Sequence, residues 1–186
     1  AIGSSLALSH FIKSTGREAT IVVPNDYPPF LAWMPGIESI IINDKQQTAA
    51  EEAIQKADLI FCLDFNALSR LEILTDALKE NTHARRVLID HHLFPAEGFD
   101  IMFSYPESSS TAFLMYTIIV ALYGVEAITE KVATQLYVGI MTDTGNFSFS
   151  SLTPDLFRAV AVLVEKGIDI SAINTSVYNT FTEDRV

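Results

Sequence analysis

Asp90, His91 and His92 stand side by side at the end of an apolar, β-prone run, Val87-Leu88-Ile89. A carboxylate and two imidazoles are ligands for divalent metal ions, and open α/β sheets bind their ligands at the C-terminal edge of the strands. Two more aspartates repeat the pattern. Asp64 ends the run Leu59-Ile60-Phe61-Cys62-Leu63, and Asp143 ends Gly139-Ile140-Met141-Thr142. Taken alone, Asp-His-His also reads as a capped strand end with surface histidines. What favours a shared site is the recurrence of an acid at the end of each apolar run. The set mixes oxygen and nitrogen donors and contains no cysteine, which disfavours structural zinc. It suits Mn²⁺, with Mg²⁺, Co²⁺ or Fe²⁺ as alternatives. Two such ions about 3.5–4 Å apart can share a carboxylate, activate water and clamp a phosphoryl group. The chemistry indicated is hydrolysis of a phosphate ester.

Spacing does not by itself bring these residues together. Adjacent parallel strands would do so for Asp64 and His91. For Asp143, the helix before it must end over the sheet. The chain supplies elements of that kind in alternation. Ala1 to Lys13 has a helical apolar face, with Gly16 as its stop. Gly3 and Ser4 in its first turn either admit a ligand to backbone N–H groups or let another helix pack closely. Ala19 to Val23 reads as a strand stopped by Pro24-Asn25, and Ser39 to Ile42 as a second. A helix-prone stretch covers Thr48 to Lys56, and Leu71, Leu74 and Leu78 mark a helix over Ser69 to Glu80. Phe99 to Phe103 is a further strand, and Asn146 to Phe149 is read as a short one. Ser108 to Thr111 opens an apolar helix to about Tyr123, and Thr129 opens another that reaches Asp143. Thr153-Pro154-Asp155 starts a helix that Gly167 stops, and Ile170 to Asn179 is a last helix or the start of a linker. The fold expected is α/β: a doubly wound, mostly parallel sheet with helices on both faces, followed by a helical segment.

Composition narrows the partners. The 186 residues carry 12 Lys+Arg against 23 Asp+Glu, a formal charge of −11. A broad basic face for long duplex nucleic acid is excluded, whereas a small anionic substrate is not, because bound metal ions supply local positive charge. Cys62 is the only cysteine and lies in an apolar run, which reads as a buried inert thiol in a reducing compartment. Apolar stretches such as Leu114 to Leu122 are too short to span a bilayer. A cytoplasmic protein without a membrane partner is expected.

In order, Ala1-Ile2-Gly3-Ser4, Leu63-Asp64, Leu88-Ile89-Asp90-His91-His92, Ser109-Ser110-Thr111-Ala112 and Gly139-Ile140-Met141-Thr142-Asp143-Thr144-Gly145 resemble the DHH phosphoesterases. The resemblance covers almost the whole chain. It is strongest to short enzymes that degrade very short RNAs and dephosphorylate 3′-phosphoadenosine 5′-phosphate. RecJ-like exonucleases and manganese inorganic pyrophosphatases are more distant relatives.

The resemblance implies that Asp64 bridges two Mn²⁺ ions and that His91 and Asp143 complete one of them. It sets His92 toward the scissile phosphate and makes Asp90 the partner that orients the histidines. Ser109, Ser110 and Thr111 would offer hydroxyls and helix N-terminal N–H groups to substrate, with plain helix capping as the competing role. Thr142 and Thr144 would shape the turn at Asp143. The implied partner is a short single-stranded oligoribonucleotide or a nucleotide, including linear dinucleotides derived from cyclic ones, and a homodimer is allowed. Family members open with a strand and His-x-x-x-Asp-x-Asp before the Ala-Ile-Gly-Ser motif, and they carry a second, substrate-binding domain after a linker. The chain is therefore expected to hold the catalytic domain over 1–167 and the start of that linker over 168–186, and to be nearly inactive alone. Two other readings compete: a manganese pyrophosphatase or exopolyphosphatase-like activity, and a non-catalytic nucleotide-binding domain of the same fold.

Overall fold

The computed structural model of the chain describes residues 1–71, 73–149 and 151–178. The elements run α1 (Ile2–Ser14), β1 (Val22–Val23), β2 (Ile41–Ile42), α2 (Asn43–Lys56), β3 (Leu59–Leu63), α3 (Leu74–Glu80), β4 (Arg85–Asp90), β5 (Ile101–Ser104), α4 (Thr111–Tyr123), α5 (Glu130–Asp143), α6 (Pro154–Glu165) and α7 (Ile170–Tyr178). All pairing is parallel, in two ladders: β1 with β2, and β3–β4–β5 with β4 in the middle. Leu63 lies opposite Ile89, and Asp90 opposite Ser104, so the strands end together and their following residues share one edge.

Alternating side chains divide the strands between two helical layers. Val23, Phe61, Val87 and Ile89 pack into a core with Leu6, Met115, Leu136 and Ile140 of α1, α4 and α5. Val22, Ile41 and Ile60 face the other way, onto Ala50 and Ile54 of α2 and Leu74 and Leu78 of α3. This is the doubly wound arrangement, because a parallel strand must be covered on both faces. Ile173 and Val177 of α7 bury in the larger core. Asn179, the last residue of the helix expected from the sequence, lies outside the described residues.

Close backbone contact aligns α1, α4 and α5. A Cβ on Gly3 would meet the Gln135 carbonyl oxygen at 2.6 Å and the Gly139 nitrogen at 2.8 Å, and one on Gly139 would meet the Ala112 Cβ at 2.6 Å. Of the two roles open to Gly3, helix packing is the one seen. The contact at Gly139 lies one turn before Asp143 and seats the end of α5.

Several local expectations shift. The helix over Ser69 to Glu80 divides into a 3₁₀ turn, Leu68–Leu71, and α3. α2 starts earlier than Thr48 and is broken at Gln46, whose φ of −140° is not helical. Asn146 to Phe149 is not a strand. Asn146 and Phe147 have φ of 55° and 59°, and the amides of Ser148 and Phe149 both donate to the Thr144 carbonyl. A left-handed pair curls the chain into a turn and leaves no extended edge to pair.

Candidate metal centre

Asp64 is the first residue past β3 and has φ of 67°. The left-handed region costs roughly 1–2 kcal/mol for most L-residues, and Asp and Asn visit it most readily of the non-glycines. The turn is anchored where Asp64 N–H donates to the Ile89 carbonyl, 3.1 Å away. The carboxylate is then fixed from two sides. The Thr111 hydroxyl donates to Oδ1 at 2.7 Å, and the Ala1 amino nitrogen contacts Oδ2. His91 Nε2 lies 3.5 Å from Oδ1.

Both histidines have one ring nitrogen committed. His91 Nδ1–H donates to the Ser108 carbonyl at 3.1 Å. His92 Nδ1–H donates to Asp90 Oδ1 at 2.6 Å, while Asp90 Oδ2 takes the His92 backbone N–H at 3.1 Å. A carbonyl and a carboxylate only accept, so each neutral imidazole is held as the tautomer whose Nε2 carries the lone pair. Asp90 is fully buried, and its observed contacts with His92 are those of an orienting group. Asp64, His91 and His92 each offer one ligand atom, all within 4.8 Å of one another.

Asp143 closes α5 and faces the same group electrostatically. Burial pushes its carboxyl above the usual range, and the Asp64 charge adds to this, against the opposing pull of His91 and His92. Burial works against the charge on Asp64, and the Thr111 hydroxyl that donates to it favours that charge. Asp143 therefore lies near the group without being drawn into the tight cluster.

The hydroxyls at the start of α4 separate by role. Ser110 caps the helix, accepting from the Phe113 N–H at 3.0 Å, and is fully buried. Thr111 is also fully buried, and its hydroxyl is spent on Asp64. The Ser109 hydroxyl is buried without a partner among the described residues. Thr142 and Thr144 donate back to the Val138 and Ile140 carbonyls, and the Thr144 hydroxyl also accepts from the Phe147 N–H. Cys62 is buried, which pushes its thiol up to about 12 and leaves it inert. Two contacts have no mark in the residue pattern: the Ser108 carbonyl behind His91, and Asn66, whose amide donates to the Leu93 carbonyl at 2.8 Å and ties the loop after Asp64 to the loop after His92.

The donor set fits a hard or borderline divalent ion. It offers one oriented carboxylate and two imidazoles with free Nε2 atoms, their outer nitrogens already hydrogen-bonded as is usual for metal-ligating histidine. The described helices include none long and apolar enough to cross a membrane.

The chain is 30% identical over 173 residues to a bifunctional oligoribonuclease and PAP phosphatase NrnA of Thermus thermophilus, covering 93% of this chain and 48% of that protein. It is 28% identical over 184 residues to the NrnA of Mycoplasma genitalium, covering 98% and 54% respectively. The chain thus spans about half the length of these curated relatives. A crystal structure of an exopolyphosphatase-related protein from Bacteroides fragilis superposes with a TM-score of 0.96 at 41% identity, over 100% of this chain and 54% of that one. Residues 1–140 match the DHH family, N-terminal domain. On that match and these relatives, the chain belongs to the DHH family.

Proposed function

We propose that the chain is the catalytic part of a manganese-dependent phosphoesterase that hydrolyses short oligoribonucleotides and nucleotides such as 3′-phosphoadenosine 5′-phosphate. The observation that carries the reading is the cluster of Asp64, His91 and His92, with both imidazoles locked to present Nε2. Asp64, His91 and Asp143 would hold the metal. His92 faces the phosphate and Asp90 holds its ring. When bound, the ions supply a nucleophile at neutral pH and offset charge on the phosphoryl oxygens. The protein's share is positioning. Thr111 fixes the rotation of the Asp64 carboxylate, and the Asp90–His92 hydrogen bond fixes the His92 ring through Nδ1 and leaves Nε2 for substrate. Ser109, whose hydroxyl has no protein partner among the described residues, is the hydroxyl of its turn left for substrate.

The exopolyphosphatase-related relative supports a second reading, cleavage of phosphoanhydrides in inorganic polyphosphate. The two part in one assay. The intact protein with Mn²⁺ is offered a diribonucleotide, 3′-phosphoadenosine 5′-phosphate and a short polyphosphate. Chelator-sensitive release of nucleotide and phosphate from the first two is expected. Turnover of polyphosphate alone would replace the first reading with the second, and turnover of none would leave a nucleotide-binding domain.

A further inference from the structure

Two residues after His92, Phe94 is 86% exposed, the most exposed large apolar side chain among the described residues. Its φ of 59° puts a bulky residue in the left-handed region, where it has no polar side chain to compensate. The loop does not relax out of this shape, because Asn66 clamps it. The Asn66 amide donates to the Leu93 carbonyl at 2.8 Å, and the Asn66 carbonyl accepts from the Ala96 N–H at 2.7 Å. Asn66 is itself two residues from Asp64. An unfavourable backbone conformation is thus maintained by the metal-bearing loops, and its effect is to hold a phenyl ring out in solvent. Strain kept beside a site points to a use.

Two other exposed aromatics leave the same region. Tyr105, 53% exposed, follows β5, and its N–H donates to the Asp90 carbonyl at 3.0 Å. Phe149, 58% exposed, folds against Gly145 just past Asp143.

We infer that Phe94 is a stacking platform for a nucleobase of the substrate, placed beside the phosphate site so that base and phosphate of one short strand bind together. This rests on the phosphoesterase reading and adds the base as a recognised feature. An aromatic face accepts any base, which suits short strands of mixed sequence on a chain too acidic for a basic groove. Two residues span at most about 7 Å of backbone, a separation on the scale of a single nucleotide.

The test compares the intact protein with Phe94→Ala and Phe94→Trp in Mn²⁺. The substrates are a diribonucleotide and ribose 5-phosphate, which has a phosphate ester but no base. Binding of a 2-aminopurine dinucleotide is followed separately by fluorescence quenching. For Phe94→Ala, the ratio of kcat/KM on the dinucleotide to that on ribose 5-phosphate is expected to fall about tenfold. Quenching should weaken in parallel, and Phe94→Trp should restore both. An unchanged quench and an unchanged ratio in Phe94→Ala overturn the stacking role. If the wild type hydrolyses neither ester, the phosphoesterase reading fails, and the quenching titration alone then decides whether Phe94 stacks on a base.

Discussion

Asp64 and Asp143 are the same residue type at the ends of two elements, yet the fold treats them in opposite ways. Asp64 is held by hydrogen bonds: the Thr111 hydroxyl donates to its carboxylate, its own N–H donates to the Ile89 carbonyl, and His91 Nε2 lies 3.5 Å away. Asp143 sits at the C-terminal end of α5, where the helix dipole is negative and a carboxylate is least welcome, and burial raises its pKa further. Asp64 is ready before a cation arrives, while Asp143 is fixed by the packing of its helix and needs the cation to be comfortable. Sites that bind charge often keep one such uncompensated group, which costs stability without the ligand.

The largest effect expected is loss of hydrolysis in Asp64→Ala. Removing groups that only orient a ligand costs about 10–100-fold, so removing the ligand itself should exceed about 100-fold. Ser109→Ala should lose much less, since that hydroxyl holds no proposed ligand. Equal rates for the two variants would break the assignment. Next in size, Thr111→Val keeps the buried volume but frees the Asp64 carboxylate, and a drop of about 10–100-fold in metal affinity is expected by titration. Val at this position without effect would mean that Thr111 serves α4 alone.

The Asp143 side should answer to packing instead. Gly139→Ala adds a methyl that meets the Ala112 Cβ at 2.6 Å. Overpacking of that kind costs about 1–3 kcal/mol. The melting temperature should fall, and activity should fall with it as Asp143 moves.

The smallest effect is also the most diagnostic, and is read by melting of the metal-free chain. The raised pKa of Asp143 makes its charge a penalty on the fold that is full above the raised value and is relieved as pH falls through it. At neutral pH, Asp143→Asn should therefore melt higher by about 1–4 °C, with activity reduced. The gain in Asp143→Asn should vanish in acid. No gain in Asp143→Asn at neutral pH would erase the contrast.

Much of this arrangement was legible in the sequence. Asp64 and Asp90 end apolar runs, and runs that are apolar throughout become buried parallel strands, so a common edge for Asp64 and His91 follows. Ser110, Thr129 and Thr153 were readable as caps because a cap is local chemistry, and each accepts from an N–H three residues on. What was not legible depends on contacts distant in sequence. Thr111 reaches Asp64 across 47 residues, and nothing near either one announces it. The extended look of Asn146 to Phe149 yielded to the Thr144 carbonyl and hydroxyl, which collect three amides of that turn. The left-handed backbone at Asp64 and Phe94 leaves no mark in residue type, since neither is glycine.

The contrast between the two aspartates comes down to who holds the metal. Mn²⁺ binding to the intact protein, measured by electron paramagnetic resonance for the wild type, Asp64→Asn and His91→Ala, tests this directly. Saturable binding in the wild type, weakened at least about tenfold in both variants, is the expected result. Wild-type affinity retained in both would contradict a metal centre at this edge of the sheet.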